Sequence, residues 1–586
     1  MKNKVKTGYP SIDKTHLEGT KFFDRNPIIP NLSMYNTFAF MSKGFKDKMA
    51  VDSLDAHLTY DELNKEIVTM SKALKHLGIK SGDIISAAID NYYQAYVLFF
   101  AANRIGATVT FLNSKAALSE IKDHLNEFES PLFLNDFSNS QYSKSIVDDT
   151  KVQQVITLNQ SDVNSKGFNP SRETNLGYSN FINYGDIERI SEYQKSPFWT
   201  MYGGNQDALI LFNSGTTGKP KSVVLTNKNI LAAELYSKHT SSADEITDLK
   251  AMVCVPFCYP YGFVTSGITS LLLGDETIFT PGLDRTNISS YLKKEPQVIF
   301  GSPALLELIK RNVPENQDLS FVKHFVSGGD FLTSAAYLDG MEFFKKHGAD
   351  VKIGNGYGNA ETVSSATSIV GVPNKPETAG KLFLGIKPII IDPETLEEKK
   401  YNEEGLLCVS GKHVFKGYFN NPELTKEVKF IKDGVEYYNT GTMGYIREDG
   451  YFVITGRQSR FYIMSTLNKV YLDYVQKVVS SLDCVKECAV VKVPDDELLY
   501  VNKAYISLNE GVEETVELKQ HILEDLLTQP VRLETGEIVQ LKPYEIPTYV
   551  EFVKELPRKP VSEKVDYSLL EENALNNVQK LKLENR

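Results

Sequence analysis

The residues with the most to offer chemically stand in one run, Ser214-Gly215-Thr216-Thr217-Gly218-Lys219-Pro220-Lys221. Glycines let a backbone turn its N–H groups inward, hydroxyls add donors, and two lysines bring positive charge. Such a set makes a cradle for a triphosphate. A Walker loop is excluded, because it needs four residues between its glycines and then Lys and Ser/Thr opening a helix. Here only Thr216 and Thr217 separate Gly215 from Gly218, and Pro220 follows Lys219. Cysteine chemistry is not expected. Cys254, Cys258, Cys408, Cys484 and Cys488 include two C-x-x-x-C pairs, but zinc thiols are usually spaced more tightly and no His cluster joins these. They read as apolar cysteines in strand-like surroundings.

The cradle needs strands on both sides, and the apolar residues 208–212 and 222–226 supply them. Upstream, helix and strand signals alternate. Thr59 and Glu62 form a capping box. Leu63, Ile67, Met70, Leu74 and Leu77 recur at helical spacing, and Gly78 sits where a helix would stop. Strands are expected at 84–89, 108–112 and 131–134, with a helix from about Tyr92 to Ile105. Alternation of this kind predicts α/β architecture, with doubly wound, mostly parallel sheets covered by helices on both faces. Residues 159–204 read as a loop-rich connection, and 386–454 as a β-rich subdomain. After Gly456-Arg457 the pattern returns to α+β in a small C-terminal domain. The expected division is 1–458 and 459–586.

With 586 residues, one large and one small domain is the natural arrangement. Acidic residues outnumber basic ones, 75 to 64, and the net charge of -11 argues against a nucleic-acid partner. Met1 to His16 lacks the apolar core of a signal peptide. Ala251 to Gly274 carries no charge and is long enough to suggest a membrane span. Pro256, Pro260, Gly262 and Gly267 make it instead a buried wall, so no transmembrane segment is expected. A cytoplasmic protein follows, and the few thiols fit a reducing compartment.

The octapeptide at 214–221 resembles the phosphate-binding loop of the acyl-activating, adenylate-forming superfamily, most closely the acyl-CoA synthetases. Further segments resemble the family's motifs in order. These are Pro256-Phe257-Cys258-Tyr259-Pro260-Tyr261-Gly262, Ser327-Gly328-Gly329-Asp330 and Gly356-Tyr357-Gly358-Asn359-Ala360-Glu361. Tyr438-Asn439-Thr440-Gly441, Gly456-Arg457 and Leu556 to Asp566 complete the series. The resemblance covers nearly the whole chain. It implies ATP-dependent activation of a carboxylic acid to an acyl-adenylate with release of pyrophosphate, then transfer to a thiol. Coenzyme A is the simplest acceptor; a separate acyl carrier protein is the alternative.

By the same resemblance, Ser214 to Lys219 and Lys221 would hold the phosphates, with Thr217 acting in catalysis. Glu361 and Thr216 would hold Mg²⁺. Gly328, Gly329, Asp330, Gly356, Tyr357, Gly358, Asn359 and Ala360 would surround the nucleotide, with Tyr357 stacked on adenine. Thr442 and Arg457 would meet the ribose. Lys564 would contact carboxylate and phosphate during adenylation. Tyr259, Tyr261, Gly262 and Ser302 would line the pocket for a fatty or other apolar acid, since the segment has no Asp to pair with an amine. The C-terminal domain would swing about Ser459 between the two half-reactions. Thr442 stands where the family has Asp, Ala360 where it has Thr, and Glu563 where it has Gly. Ser459 replaces an acidic residue or Lys. These departures keep open a non-catalytic or weakly active homologue that binds ATP or acyl-adenylate.

Overall fold

The computed structural model describes residues 6–584 except 19–26, 137–141, 169–179, 196–201, 214–219, 241–247, 330–331, 333, 365, 369–374, 376, 458–459, 464–468, 496–497, 534–537 and 560–563. Helix Tyr60–His76 begins on both halves of the expected capping box. Thr59 Oγ1 accepts from Glu62 N at 3.2 Å, and the Glu62 carboxylate accepts from Thr59 N at 2.8 Å. Its Leu63, Ile67, Met70 and Leu74 are fully buried, and Gly78 follows at φ 88°.

Two large sheets carry the N-terminal part. One orders its strands 352–355, 324–327, 298–301, 250–253, 276–279, 49–53 and 56–59, all parallel except the last pair. The other runs 417–418, 222–226, 207–212, 108–111, 84–88, 132–136, 154–158 and 181–183, with antiparallel pairing confined to its first three strands. Both parallel stretches are sheathed in helices, as alternating sequence patterns require. The sheets meet through Asn91, just past strand Ile84–Ala88. Its amide donates to Val255 O at 3.0 Å and accepts from Phe257 N at 3.1 Å, just past strand Lys250–Val253 of the other sheet. Strand ends of α/β sheets are where ligands bind.

A five-stranded antiparallel sheet (387–391, 405–410, 429–432, 435–446, 452–457) forms the β-rich subdomain. Residues 6–18 strap it: Tyr401 N donates to Gly8 O at 3.0 Å, Ser11 Oγ to Glu398 Oε1 at 2.5 Å, and Lys381 Nζ to Glu18 O at 2.9 Å. The C-terminal part has its own core, including Val478, Val490, Ile506 and Leu526. That core lies between strands 485–495, 499–508 and 549–552 and helices Leu472–Ser480 and Val516–Thr528.

One expectation is met and one is corrected. The charge-free run Ala251 to Gly274 is the expected buried wall: it runs through strand Lys250–Val253 and then a continuous helical stretch, Tyr261–Ile268 with wide turns followed by Thr269–Leu273. Among the described residues no helix is long and apolar enough to cross a membrane. Of the five cysteines, only Cys408 and Cys488 lie on strands, while Cys254, Cys258 and Cys484 sit in connections. A short apolar neighbourhood without alternation does not distinguish a strand from a buried turn. Burial pushes the Cys258 thiol up to about 12, which leaves it inert at neutral pH.

Candidate active site

Asn213 closes the base of the phosphate loop. Its N–H donates to Lys221 O at 3.2 Å, and its Oδ1 accepts from Lys221 N at 3.0 Å. Ser214, Gly215, Thr216, Thr217, Gly218 and Lys219 lie outside the described residues. The Asn213 amide also donates to Glu361 Oε1 at 3.0 Å, and Tyr418 O–H donates to the same oxygen at 2.8 Å. Glu361 is 3% exposed, with its carbonyl accepting from Phe415 N at 2.8 Å. Tyr418 arrives on the short strand Gly417–Tyr418, paired with Ser222–Thr226, and Lys221 Nζ stands 5.3 Å from its ring centroid. Burial, with Glu361 beside it, raises the Tyr418 phenol well above its usual range and keeps it a donor. Three segments distant in sequence thus converge on one carboxylate beside the phosphate cradle.

The segment 356–361 follows strand Lys352–Asn355. Tyr357 N donates to Thr367 Oγ1 and its hydroxyl to Thr442 Oγ1, both at 2.8 Å; the ring lies 5.6 Å from that of Phe452. Thr442 borders the cleft with no exposed surface of its own, so it acts here as a support for Tyr357. Asn359 donates through Nδ2 to Tyr438 O–H at 3.1 Å and caps the single turn Ala360–Thr362. Ala360 is buried, and Gly356 N and Gly328 N donate to Ser327 O and Gly301 O. Gly329, at φ 83°, ends the described part of its motif, for Asp330 lies outside it. Arg457 closes strand Phe452–Arg457 opposite Thr442; its side chain and all of Ser459 fall outside the described residues.

On the acid side, Tyr261 is buried, with its hydroxyl 2.6 Å from Val326 O and 3.0 Å from Gly301 O. Its ring leaves no room for a side chain at Gly328, where a Cβ would stand 3.0 Å away. Gly262 is more constrained: a Cβ there would lie 2.3 Å from Val255 O. Tyr259 is half-buried, and Ser302 Oγ accepts from Leu305 N, capping helix Pro303–Asn312.

Lys221, Asn213, Glu361, Tyr418, Tyr357, Asn359, Thr442, Tyr259, Tyr261 and Ser302 line one cleft of about 2430 Å³, and so does Lys564 from the C-terminal part. Gly262, expected in the acid pocket, is buried behind this lining and does not border it. The Lys564 carbonyl accepts from Lys559 N at 2.8 Å, and Arg558 bridges Val565; Glu563 lies outside the described residues. Next to it the Arg460 guanidinium stacks on the Tyr567 ring at 3.7 Å while bonding Asp473 and Val490 O. The structure therefore brings Lys221, Glu361, Tyr357, Asn359, Tyr261 and Lys564 to one cleft. Sequence reasoning missed Asn213, Tyr418 and Arg460, and named Tyr438 only as part of its motif, without this role. Only Asn213 carried a signal, by adjoining the phosphate loop.

Comparison with known proteins agrees with this geometry. The family model for AMP-binding enzymes matches residues 39–419, and that for the AMP-binding enzyme C-terminal domain matches 474–562. A long-chain-fatty-acid–CoA ligase of Bacillus subtilis (strain 168) is 26% identical over 566 residues, 94% of this chain and 96% of that one. The crystal structure of ATP-bound MatB from Rhodopseudomonas palustris superposes with a TM-score of 0.76 at 23% identity, covering 92% of this chain and 98% of that one. The anthranilate CoA ligase AuaEII, in complex with anthranoyl-AMP, gives 0.75 at 19% identity, covering 93% and 98%. At such identities the two structures establish a shared fold.

Proposed function

Because the chain belongs to the AMP-binding enzyme family, we propose that it is an AMP-forming acid–thiol ligase of the acyl-CoA synthetase type, acting on a fatty or other apolar carboxylic acid. The observation that carries this reading is the convergence of Glu361, the base of the phosphate loop and Lys564 on a single cleft. In the first half-reaction a carboxylate oxygen attacks the α-phosphorus of ATP, the bond to pyrophosphate breaks, and an acyl-adenylate forms. The second half-reaction has a thiol sulfur attack the acyl carbon, releasing AMP and giving a thioester.

Neither step asks for a protein nucleophile. The protein must bring two anions together and hold them in line. Lys221, Lys219 and the backbone of 214–218 receive the phosphates; Lys564 neutralises the meeting of carboxylate and phosphate. Tyr357, held by Thr442, faces the adenine, and Arg457 the ribose. Glu361 suits a hard cation, since both its hydrogen bonds use Oε1 and leave a second carboxylate oxygen as ligand. Mg²⁺ held there with Thr216 would neutralise charge on the phosphates. Coenzyme A is the proposed acceptor, with a carrier protein as the alternative. A domain boundary at 458/459, a hinge there and a cytoplasmic location belong to the same proposal.

ATP–pyrophosphate exchange with Mg²⁺, run across fatty, aromatic and small acids and a few amino acids, tests it. Exchange with one acid class, lost in Lys564→Ala, is expected. ATP binding without exchange for any acid would overturn the reading in favour of a non-catalytic homologue, and would turn attention to Thr442 and Ala360.

A further inference from the structure

Beyond the reaction centre, the cleft continues along the helical stretch 261–273. Tyr261, Thr265, Thr269 and Leu273 recur every fourth residue on its cleft-lining side, with Ser270 beside them and Ser237 lining it from helix Asn227–Thr240. Because 261–268 is wound with wide turns, the distance from Tyr261 to Leu273 is less than the roughly 18 Å of an α-helix of that length, and it suits an extended chain of about a dozen carbons. An ordinary fatty acid would be served best by an apolar lining. This face sets the hydroxyls of Thr265, Thr269 and Ser270 among apolar lining residues such as Leu273, Val298 and Phe300.

The hydroxyl protons are already committed. Thr265 Oγ1 donates to Val363 O at 3.1 Å, Thr269 Oγ1 lies 3.3 Å from Val264 O, and Ser270 Oγ donates to Ser266 O at 2.7 Å. A hydroxyl that has given its proton still accepts through its lone pairs. The channel thus presents acceptors to whatever occupies it. Behind Thr269 stands Glu234, 6% exposed and hydrogen-bonded to the Thr269 side chain; burial raises its carboxyl to about 8, so it is uncharged at neutral pH. No Lys or Arg occurs on this face between Ala251 and Gly274; the basic residues Arg285, Lys310 and Arg311 line the cleft from other segments.

We infer that the acid activated here is a long-chain monocarboxylic acid bearing a hydroxyl part-way along its chain, which donates to the Thr265–Thr269 oxygens. Those oxygens lie about one and two turns along the stretch from Tyr261, so the substrate hydroxyl belongs in mid-chain. The inference rests on the adenylation reading and names the substrate class for it.

Acid-dependent ATP–pyrophosphate exchange would be measured with tetradecanoic acid, a positional series of its monohydroxylated derivatives, and tetradecanedioic acid. One neutral hydrogen bond predicts a preference of about tenfold in kcat/KM for a mid-chain hydroxy acid over the parent, with the diacid poorer than the parent. Thr269→Val, which keeps the shape and removes the oxygen, should bring that preference to near one; Thr265→Val serves if the first variant fails to fold. Equal or better use of the parent or the diacid by the unmodified enzyme would overturn the inference and leave adenylation standing, as would a preference that survives both substitutions. Exchange with no acid at all would overturn both readings.

Discussion

Glu361 and Glu234 are both buried carboxyls near one cleft, and their surroundings differ in kind. Glu361 receives Asn213 and Tyr418 on a single oxygen, with each donor brought from a different strand and its own backbone tied to Phe415. Glu234 has the Thr269 hydroxyl, and burial holds it protonated. A carboxylate whose charge is to be used needs donors that keep their places while the charge is presented. A carboxyl that serves only as wall can stay neutral. The charged side is therefore fixed by donors converging on one carboxylate, whereas along the acid side the Thr269–Leu273 end of the helix face has its hydroxyls tied mainly to the helix's own carbonyls and can change residue by residue at less cost to the fold.

The sharpest break in this contrast is at Lys564. Lys564→Ala should lower acid-dependent exchange about a thousandfold, while thermal unfolding stays close to that of the unmodified chain, because the side chain lines a cleft and supports no core. Glu361→Gln keeps the shape and removes the charge, and about a hundredfold loss of exchange is expected. Glu361→Ala should in addition cost about 2 kcal/mol in denaturant unfolding, since Asn213 and Tyr418 lose a buried acceptor. If the alanine variant were as stable as the glutamine one, the fixing of Glu361 by its donors would be wrong. Thr442→Val should raise the KM for ATP about fivefold by releasing the Tyr357 ring, an effect of about 1 kcal/mol.

The smallest effect lies on the acid side. Between the ordinary 4.5 and about 8, the folded chain holds on Glu234 a proton that the unfolded chain has released. Stability from this group is complete below pH 4.5 and declines as pH rises through about 8. Glu234→Gln should flatten that decline, read as a gain of about 2 °C in thermal midpoint at pH 8 relative to pH 6. A steeper decline in the variant would show that the carboxyl is not held neutral.

What could be read from the sequence follows the same division. The capping box at Thr59, the stop at Gly78, the alternation that gives parallel sheets and the motifs from Ser214 to Lys564 are local, and local chemistry survives in a string of letters. Tyr418 was invisible, and Tyr438 stood out only as part of its motif, because their roles depend on pairing across some 57 and 79 residues, with Glu361 and Asn359. Arg460 was hidden for a similar reason, since its partners Asp473, Val490 and Tyr567 come from separate elements. The charge-free run was rightly read as a buried wall, but its element type was not legible. Its apolar residues could equally form a strand wall or a helix, and its Thr and Ser positions carry meaning only once helical spacing aligns Thr265 with Thr269.

The strap formed by residues 6–18 has a consequence for how the protein is made. Its anchors, Glu398 and Tyr401, leave the ribosome nearly 400 residues after Gly8 and Ser11 do. At about 5–20 residues per second, the amino terminus waits roughly 20–80 seconds for its docking surface. During that interval the first sheet can assemble around helix Tyr60–His76 with its leading end unanchored. Closing the strap is thus a late event in biogenesis, and a nascent chain stalled before residue 398 would leave Gly8 and Ser11 without the partners they have in the finished protein.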